Sequence, residues 1–377
     1  MKRILTVVLI LCGCFVSVAS AQQPAGNSAD WTEFLRTNMM RWSPYEHTLN
    51  VSNVGNLQLK WSYTTGDYVA SSPAVAKGVL YIGSGDNVYA LEASTGTKLW
   101  AFGTNAQVLG SPAVANGVVY GTSYYAGQRG VRDVYAVKAS TGKQLWRWDY
   151  PNYCSPTVAN GVVYVGTDTD GKYAGVYALN ASTGTVLWSY LTRGSADTAA
   201  VVQGVLYMGS DSGNLYALNA KTGVELWRRH IGRVERSAPA VANGVVYIGA
   251  LDRRVYALRA RTGKPLWIYK TGGRVYSSPA VANGMVYIAS DNLYALNART
   301  GAVLWSYPAG GDSSPAVANG VVYIGSDDQN VYALNADTGA PLWSYATGSG
   351  VDSSPVVVDG VVYVGSGDGN VYAFGLP

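Results

Sequence analysis

Very few side chains in this sequence have the types and spacing that chemistry requires. The 377 residues hold only 2 His and 3 Cys. His47 and His230 lie on separate segments, and two distant imidazoles do not make a metal site. Cys12 and Cys14 fall within an apolar leader, so Cys154 is the only mature thiol and an internal disulfide is excluded. No Cys-x-x-Cys-His occurs, which excludes covalently attached haem. Asp86, Asp211, Asp252, Asp291, Asp327, Asp328 and Asp368 recur in short loops and raise the question of calcium. Their spacing does not fit a calcium-binding loop, and hairpin turns favour Asp for backbone reasons, so a turn role is expected. The glycine-rich run Gly365–Asn370 leads into a strand rather than a helix, which argues against phosphate binding. Serines before proline recur around the chain, as at Ser72-Pro73, whereas a catalytic serine should be singular.

The elements that carry these residues follow from a repeat. The pattern A-x-x-x-x-T-G-x-x-x-W occurs seven times: Ala90–Trp100, Ala136–Trp146, Ala178–Trp188, Ala217–Trp227, Ala257–Trp267, Ala295–Trp305 and Ala333–Trp343. Trp61 ends an eighth copy that has lost its start, and Val371–Phe374 starts one that has lost its end. Successive tryptophans are 39, 46, 42, 39, 40, 38 and 38 residues apart. Each unit reads as four strands: Ser-Pro-Ala-Val (A), Val-Val-Tyr-Ile-Gly (B), Val-Tyr-Ala-Leu (C) and Leu-Trp-x-Tyr (D). Asn-Gly turns join A to B, because both residues tolerate positive φ. Four-stranded units with this period predict an all-β, eight-bladed β-propeller of antiparallel blades. The strand around Trp61 is expected to complete the C-terminal blade and close the ring, leaving no open edge. Composition agrees: 45 Gly and 29 Tyr against 4 Phe suit short strands with tight turns. Trp61, Trp100, Trp146, Trp188, Trp227, Trp267, Trp305 and Trp343 are read as structural, each ring buried between blades against the small Ala that opens the pattern.

Lys2 and Arg3, the apolar stretch Ile4–Val18 and Ala19-Ser20-Ala21 read as a secretory signal cleaved after Ala21. The expected organisation is signal peptide 1–21, N-terminal extension 22–56 and propeller 57–377, exported to the periplasm or the outside. A lipoprotein anchored at Cys14 is the alternative. The formal charge of +4 drops to +2 once Lys2 and Arg3 leave, too weak and dispersed for nucleic acid. No transmembrane segment follows the leader, and a monomer is expected.

The eleven-residue pattern resembles the tryptophan-docking repeat of the pyrroloquinoline quinone (PQQ) propeller family, over roughly residues 57–377. Asp30-Trp31 through Arg41, Ser43-Pro44 and Asn53-Val54 also resemble the family's lead-in. That family includes quinoprotein alcohol dehydrogenases and an outer-membrane protein-assembly lipoprotein. The third pattern position, often Asp in the family, here holds Glu92, Lys138, Asn180, Asn219, Arg259, Asn297 and Asn335. The resemblance implies that a dehydrogenase would need Ca²⁺ on carboxylate and amide oxygens, a catalytic carboxylate and commonly two adjacent cysteines. The mature chain has no adjacent cysteines and no large insertion to cap a cofactor.

Function is therefore expected where the repeat breaks, in the B–C and D–A loops on one face of the ring. Two B–C loops are long, Ser123–Asp133 and Asp168–Gly175. They and the D–A segments bring the candidate ligand or partner residues Tyr124, Tyr125, Arg129, Arg132, Tyr153, Lys172, Tyr173, Arg236, Tyr276, Asp312 and Asp352. Tyr and Arg are enriched at binding hot spots. The expectation is a non-catalytic binding or scaffold module for a protein, peptide or small planar ligand, with no catalytic residue, metal or cofactor. The alternatives are a PQQ-dependent oxidoreductase using PQQ with Ca²⁺, or a subunit of an outer-membrane protein-assembly machine.

Overall fold

In the computed structural model the described residues are 30–36, 40–124, 133–149, 154–167 and 173–377. They form eight four-stranded antiparallel blades. In blade 1 the strands are Ala74–Ala76, Val79–Ser84, Asn87–Glu92 and Lys98–Gly103, running from the axis outward. Blades 2 to 7 repeat this order, beginning at Ala113, Thr157, Ala200, Ala240, Ala280 and Ala316. Blade 8 holds Val356–Val358, Val361–Gly365 and Asn370–Gly375, and its outer strand is Gln58–Thr64, paired with Asn370–Gly375. The ring is thus closed by the strand around Trp61. A short strand, Trp42–Ser43, adds in parallel to the inner strand of blade 7.

Local chemistry explains the blades. The A–B turns place two successive residues at positive φ, as at Asn116 (51°) and Gly117 (76°). That backbone matches the twist of a two-residue hairpin. In the C–D pairs the register shifts by one residue next to the docking Trp; Ala90 faces Trp100 while Leu91 faces Lys98. The bulge leaves the intervening Leu99 half exposed and turns the Trp toward the next blade.

The indoles dock one blade onward. Trp100 Nε1 donates to the Ala139 carbonyl at 2.9 Å and Trp267 Nε1 to that of Ala298 at 2.8 Å. Except for Trp343, each docking indole face lies on the glycine of the neighbour's Thr-Gly turn. A Cβ at Gly142 would sit 2.8 Å from the Trp100 ring, and its φ of +69° already disfavours other residues. The structure thereby corrects the expected role of the pattern's first Ala. Ala90 pairs with Trp100 inside its own blade, and the docking surface is the turn glycine with the fourth-position carbonyl.

The tyrosine excess has a matching cause. The strand-B tyrosines donate to the same carbonyls as the indoles: Tyr81 to Ala139, Tyr247 to Ala298 and Tyr363 to Ala93. Tyr323, in blade 7, has a buried hydroxyl with no hydrogen-bond partner among the described residues. Blade 8 has no C–D turn to offer the carbonyl, and Trp343 bonds Leu57 instead.

Candidate functional site

The D–A segments turn in toward the axis, and their serines are used structurally. Where it carries a hydroxyl, the residue before the strand-A proline (before Ala199 in blade 4) accepts a hydrogen bond from the backbone N–H at the same place in the preceding blade. Ser72 N–H donates to Ser111 Oγ (3.0 Å), Ser111 N–H to Ser155 Oγ (2.9 Å) and Ser155 N–H to Thr198 Oγ1 (3.1 Å). Ala238, Ser278, Ser314 and Ser354 continue the belt onto Ser278, Ser314, Ser354 and Ser72. It is interrupted between Thr198 and Ala238, because Ala238 has no hydroxyl. There the Asp197 carboxyl accepts from Arg236 N–H at 3.0 Å, with Arg236 at a φ of +64°. One residue earlier, Ser71, Ser237, Ser277, Ser313 and Ser353 accept from their own strand B. Blades 2 to 4 carry Gly110, Cys154 and Asp197 at that place, so the belt is regular on one side and irregular on the other.

The N-terminal stretch, described at residues 31–36 and 40–43, lies against the inner strands of the ring. It bonds inner strands of five blades: Trp31 pairs with Val75, and the Val114, Val158, Val281 and Val317 N–H groups donate to Thr32 O, Glu33 Oε2, Met40 O and Arg41 O. Arg41 is fully buried and donates to the carbonyls of Phe34, Ser314, Pro315 and Pro355. Its guanidinium lies 4.8 Å from the Phe34 ring centroid and 5.5 Å from that of Trp31. Burial pulls Arg41 down to about 9 and pushes Glu33 up to about 8, the latter opposed by the Val158 N–H bond.

What remains at the mouth is a cup of about 210 Å³, floored by Phe34 and walled by D–A residues of all eight blades. Its polar groups are uneven. Arg236 pairs with Asp312 at 2.7 Å, and the Tyr68 hydroxyl donates to Asp352. Asp197 is 2 % exposed and burial pushes it up to about 8, opposed by the Arg236 N–H bond. Asp312 is also pushed up by burial; Arg236 counteracts this and the Asp352 charge adds to it. Leu109 and Cys154 line one stretch of the wall, and Tyr276 stands between Arg236 and Asp312 on another.

The structure therefore brings Arg236, Tyr276, Asp312 and Asp352 together. It does not bring Tyr124 or Tyr173 to the cup. Tyr124 bridges Gln107, and Tyr173 is half exposed, its carbonyl accepting from Thr167 and Tyr177. Tyr125, Arg129, Arg132, Tyr153 and Lys172 lie outside the described residues. Phe34, Leu109 and the Arg41 hub were not legible as site residues. The repeat gives Leu109 no mark, and the other two lie outside it. The loop aspartates serve turns: Asp252, Asp291, Asp328 and Asp368 accept from the strand-C hydroxyls Tyr256, Tyr294, Tyr332 and Tyr372. Among the described residues no three His, Cys, Asp or Glu converge as metal ligands, and no helix is long and apolar enough to cross a membrane. His47 and His230 are both exposed, on separate elements.

Docked tryptophans, an axial hydroxyl belt and a cup at the mouth define an eight-bladed propeller of the tryptophan-docking class. The chain belongs to the PQQ-repeat family. The family model described as outer membrane protein assembly factor BamB matches residues 121–239, 217–315 and 289–375. The one described as the glucose/ethanol/alcohol dehydrogenase β-propeller domain matches residues 31–130. Quinoprotein alcohol dehydrogenase PedE of Pseudomonas putida is 35% identical over 95 residues, covering 20% of this chain and 15% of that protein. The chain therefore matches only a small part of that relative's length. A europium-containing methanol dehydrogenase superposes with a TM-score of 0.78 at 16% identity, over 93% of this chain and 99% of that one. BamB from Moraxella catarrhalis gives 0.71 at 18% identity, over 85% of this chain and 98% of that one. At these identities the two structures are alike in fold.

Proposed function

We propose that this chain is an exported, non-catalytic binding module whose cup at the channel mouth receives a small ligand or a side chain of a partner. The observation that supports this most is the contrast within the D–A segments. The belt positions repeat around the ring, while the place two residues earlier changes along it, through Leu109, Arg236 and Tyr276 to Asp in the last two blades, and these side chains line one cavity together with Tyr68. Repetition answers to folding; departure from it at a concave mouth is where selectivity can reside. The test is ligand-observed NMR with a panel of small neutral, cationic and anionic fragments. Leu109→Trp, which fills the cup, should abolish binding while leaving the melting temperature within a few degrees. Fragments that bind the variant equally well would refute the location. Export predicts a mature N-terminus at Gln22, and an acylated Cys14 by mass spectrometry would favour the lipoprotein alternative.

The family likeness favours a second reading, a PQQ-dependent oxidoreductase. PQQ would supply hydride acceptance, and its Ca²⁺ needs several converging oxygen ligands. The described residues fit this poorly: no three carboxylate, His or Cys side chains converge, and Asp312 is taken up by Arg236 and Asp352 by Tyr68. Dye reduction with alcohols or sugars after addition of PQQ and Ca²⁺ would overturn the binding-module reading.

A further inference from the structure

The charges of the cup identify its ligand class. Asp312 pairs directly with Arg236, whereas Asp352 feels Arg236 only at longer range, bonds the Tyr68 hydroxyl and has no direct ion pair with a described residue. Asp327 is raised by burial first and then by the charges of Asp352 and Asp312, so several carboxylates share this side of the mouth with the one cation, Arg236, that pairs there among the described residues. Glu235 adds to the same field at Asp312. Asp197 lines the same cavity, is 2 % exposed, and its Oδ2 has no hydrogen-bond partner among the described residues. Held protonated by burial, this carboxyl can both donate to and accept from a ligand in the cup. Tyr68, Tyr276 and Phe34 line the cup as well, and the Tyr68 ring is 42 % exposed. Aromatic faces with carboxylates suit a diffuse, donor-rich cation. The described carboxylates do not converge as metal ligands, which points away from a bare divalent ion. The cup already seats one guanidinium, that of Arg236 on Asp312.

We propose that the cup recognises an organic cation of guanidinium or primary ammonium type, held by Asp352 and the aromatic wall, with Arg236 as the internal cation it competes against. This rests on the binding-module reading above. The source is either a free small molecule or an Arg or Lys side chain of a partner, and the chemistry is shared.

The experiment is isothermal titration calorimetry on the mature chain with butylguanidinium, butylammonium, neutral butyramide, butyrate and Ca²⁺. The two cations should bind at least about tenfold more tightly than butyramide or butyrate, a gap of about 1.4 kcal/mol. Asp352→Asn should weaken the cations about tenfold and leave butyramide unchanged. Arg236→Gln should strengthen them several-fold, a gain that misfolding cannot produce. An acetylated Gly-Arg-Gly amide separates the sources: binding like butylguanidinium indicates a side chain, and exclusion with butylguanidinium still bound indicates a free molecule. Equal binding of butyramide and butylguanidinium, both lost in Leu109→Trp, overturns the cation assignment and leaves the binding module standing. Ca²⁺ binding that depends on Asp352 and is not displaced by butylguanidinium also overturns it. If no probe of any charge binds, both readings fall.

Discussion

At the scale of single residues, identical side chains have different worth according to the blade beyond them. Tyr247 donates to the Ala298 carbonyl at 3.1 Å, while Tyr323, the same repeat position, has no acceptor among the described residues. Tyr247→Phe should therefore cost about 1 kcal/mol, and Tyr323→Phe should be neutral or stabilising, because it removes an unsatisfied buried hydroxyl. Urea midpoints of the two variants check this directly. Asp197 makes a pH prediction. Its folded value of about 8 lies above the ordinary 3.8, so the folded chain holds a proton that the unfolded chain has released. Stability from this group is complete below about pH 4 and is lost as pH rises toward 8, at up to about 1.4 kcal/mol per pH unit. Asp197→Asn should flatten that decline in urea titrations at pH 5, 6.5 and 8. An unchanged slope would show that the carboxyl is not held protonated.

At the scale of elements, the axial segment is the part that the repeat does not describe. Residues 31–36 and 40–43 lack the eleven-residue pattern, yet bond inner strands of blades 1, 2, 3, 6 and 7. Arg41 pins the segment through four carbonyls, and no described carboxylate pairs with it. Arg41→Met keeps much of the apolar volume and leaves those carbonyls unmet, so a loss of about 3 kcal/mol or more is expected. Hydrogen exchange should rise at residues 31–36 and 40–43 and stay low in the outer strands. Phe34, carried by this segment, floors the cup, so the same variant should also weaken fragment binding there.

At the scale of the molecule, ring closure depends on a strand from the other end of the chain. Gln58–Thr64 covers Asn370–Gly375, and Trp61 docks on blade 1 through the Ala93 carbonyl at 2.9 Å. Deleting residues 22–64 from the mature chain removes plug and closing strand together. It should lower the melting temperature by more than ten degrees and yield concentration-dependent oligomers on size exclusion, because an open blade edge invites pairing. The sequence by itself determined the blade count, the strand order, the turn chemistry and the closing strand. Each of these arises from short-range patterns, repeated often enough that period and hydrophobic alternation leave one arrangement. It also marked Arg236, Tyr276, Asp312 and Asp352 as departures from the repeat. Only the tertiary structure decided what those departures build. Leu109 and Tyr68 meet Asp312 and Asp352 because the ring brings distant segments to one axis, and spacing along a chain carries no record of that meeting. The docking surface was misplaced for the same reason: the indole's partner is on the next blade, about 40 residues away, where a turn glycine and a carbonyl, rather than a small side chain, receive it.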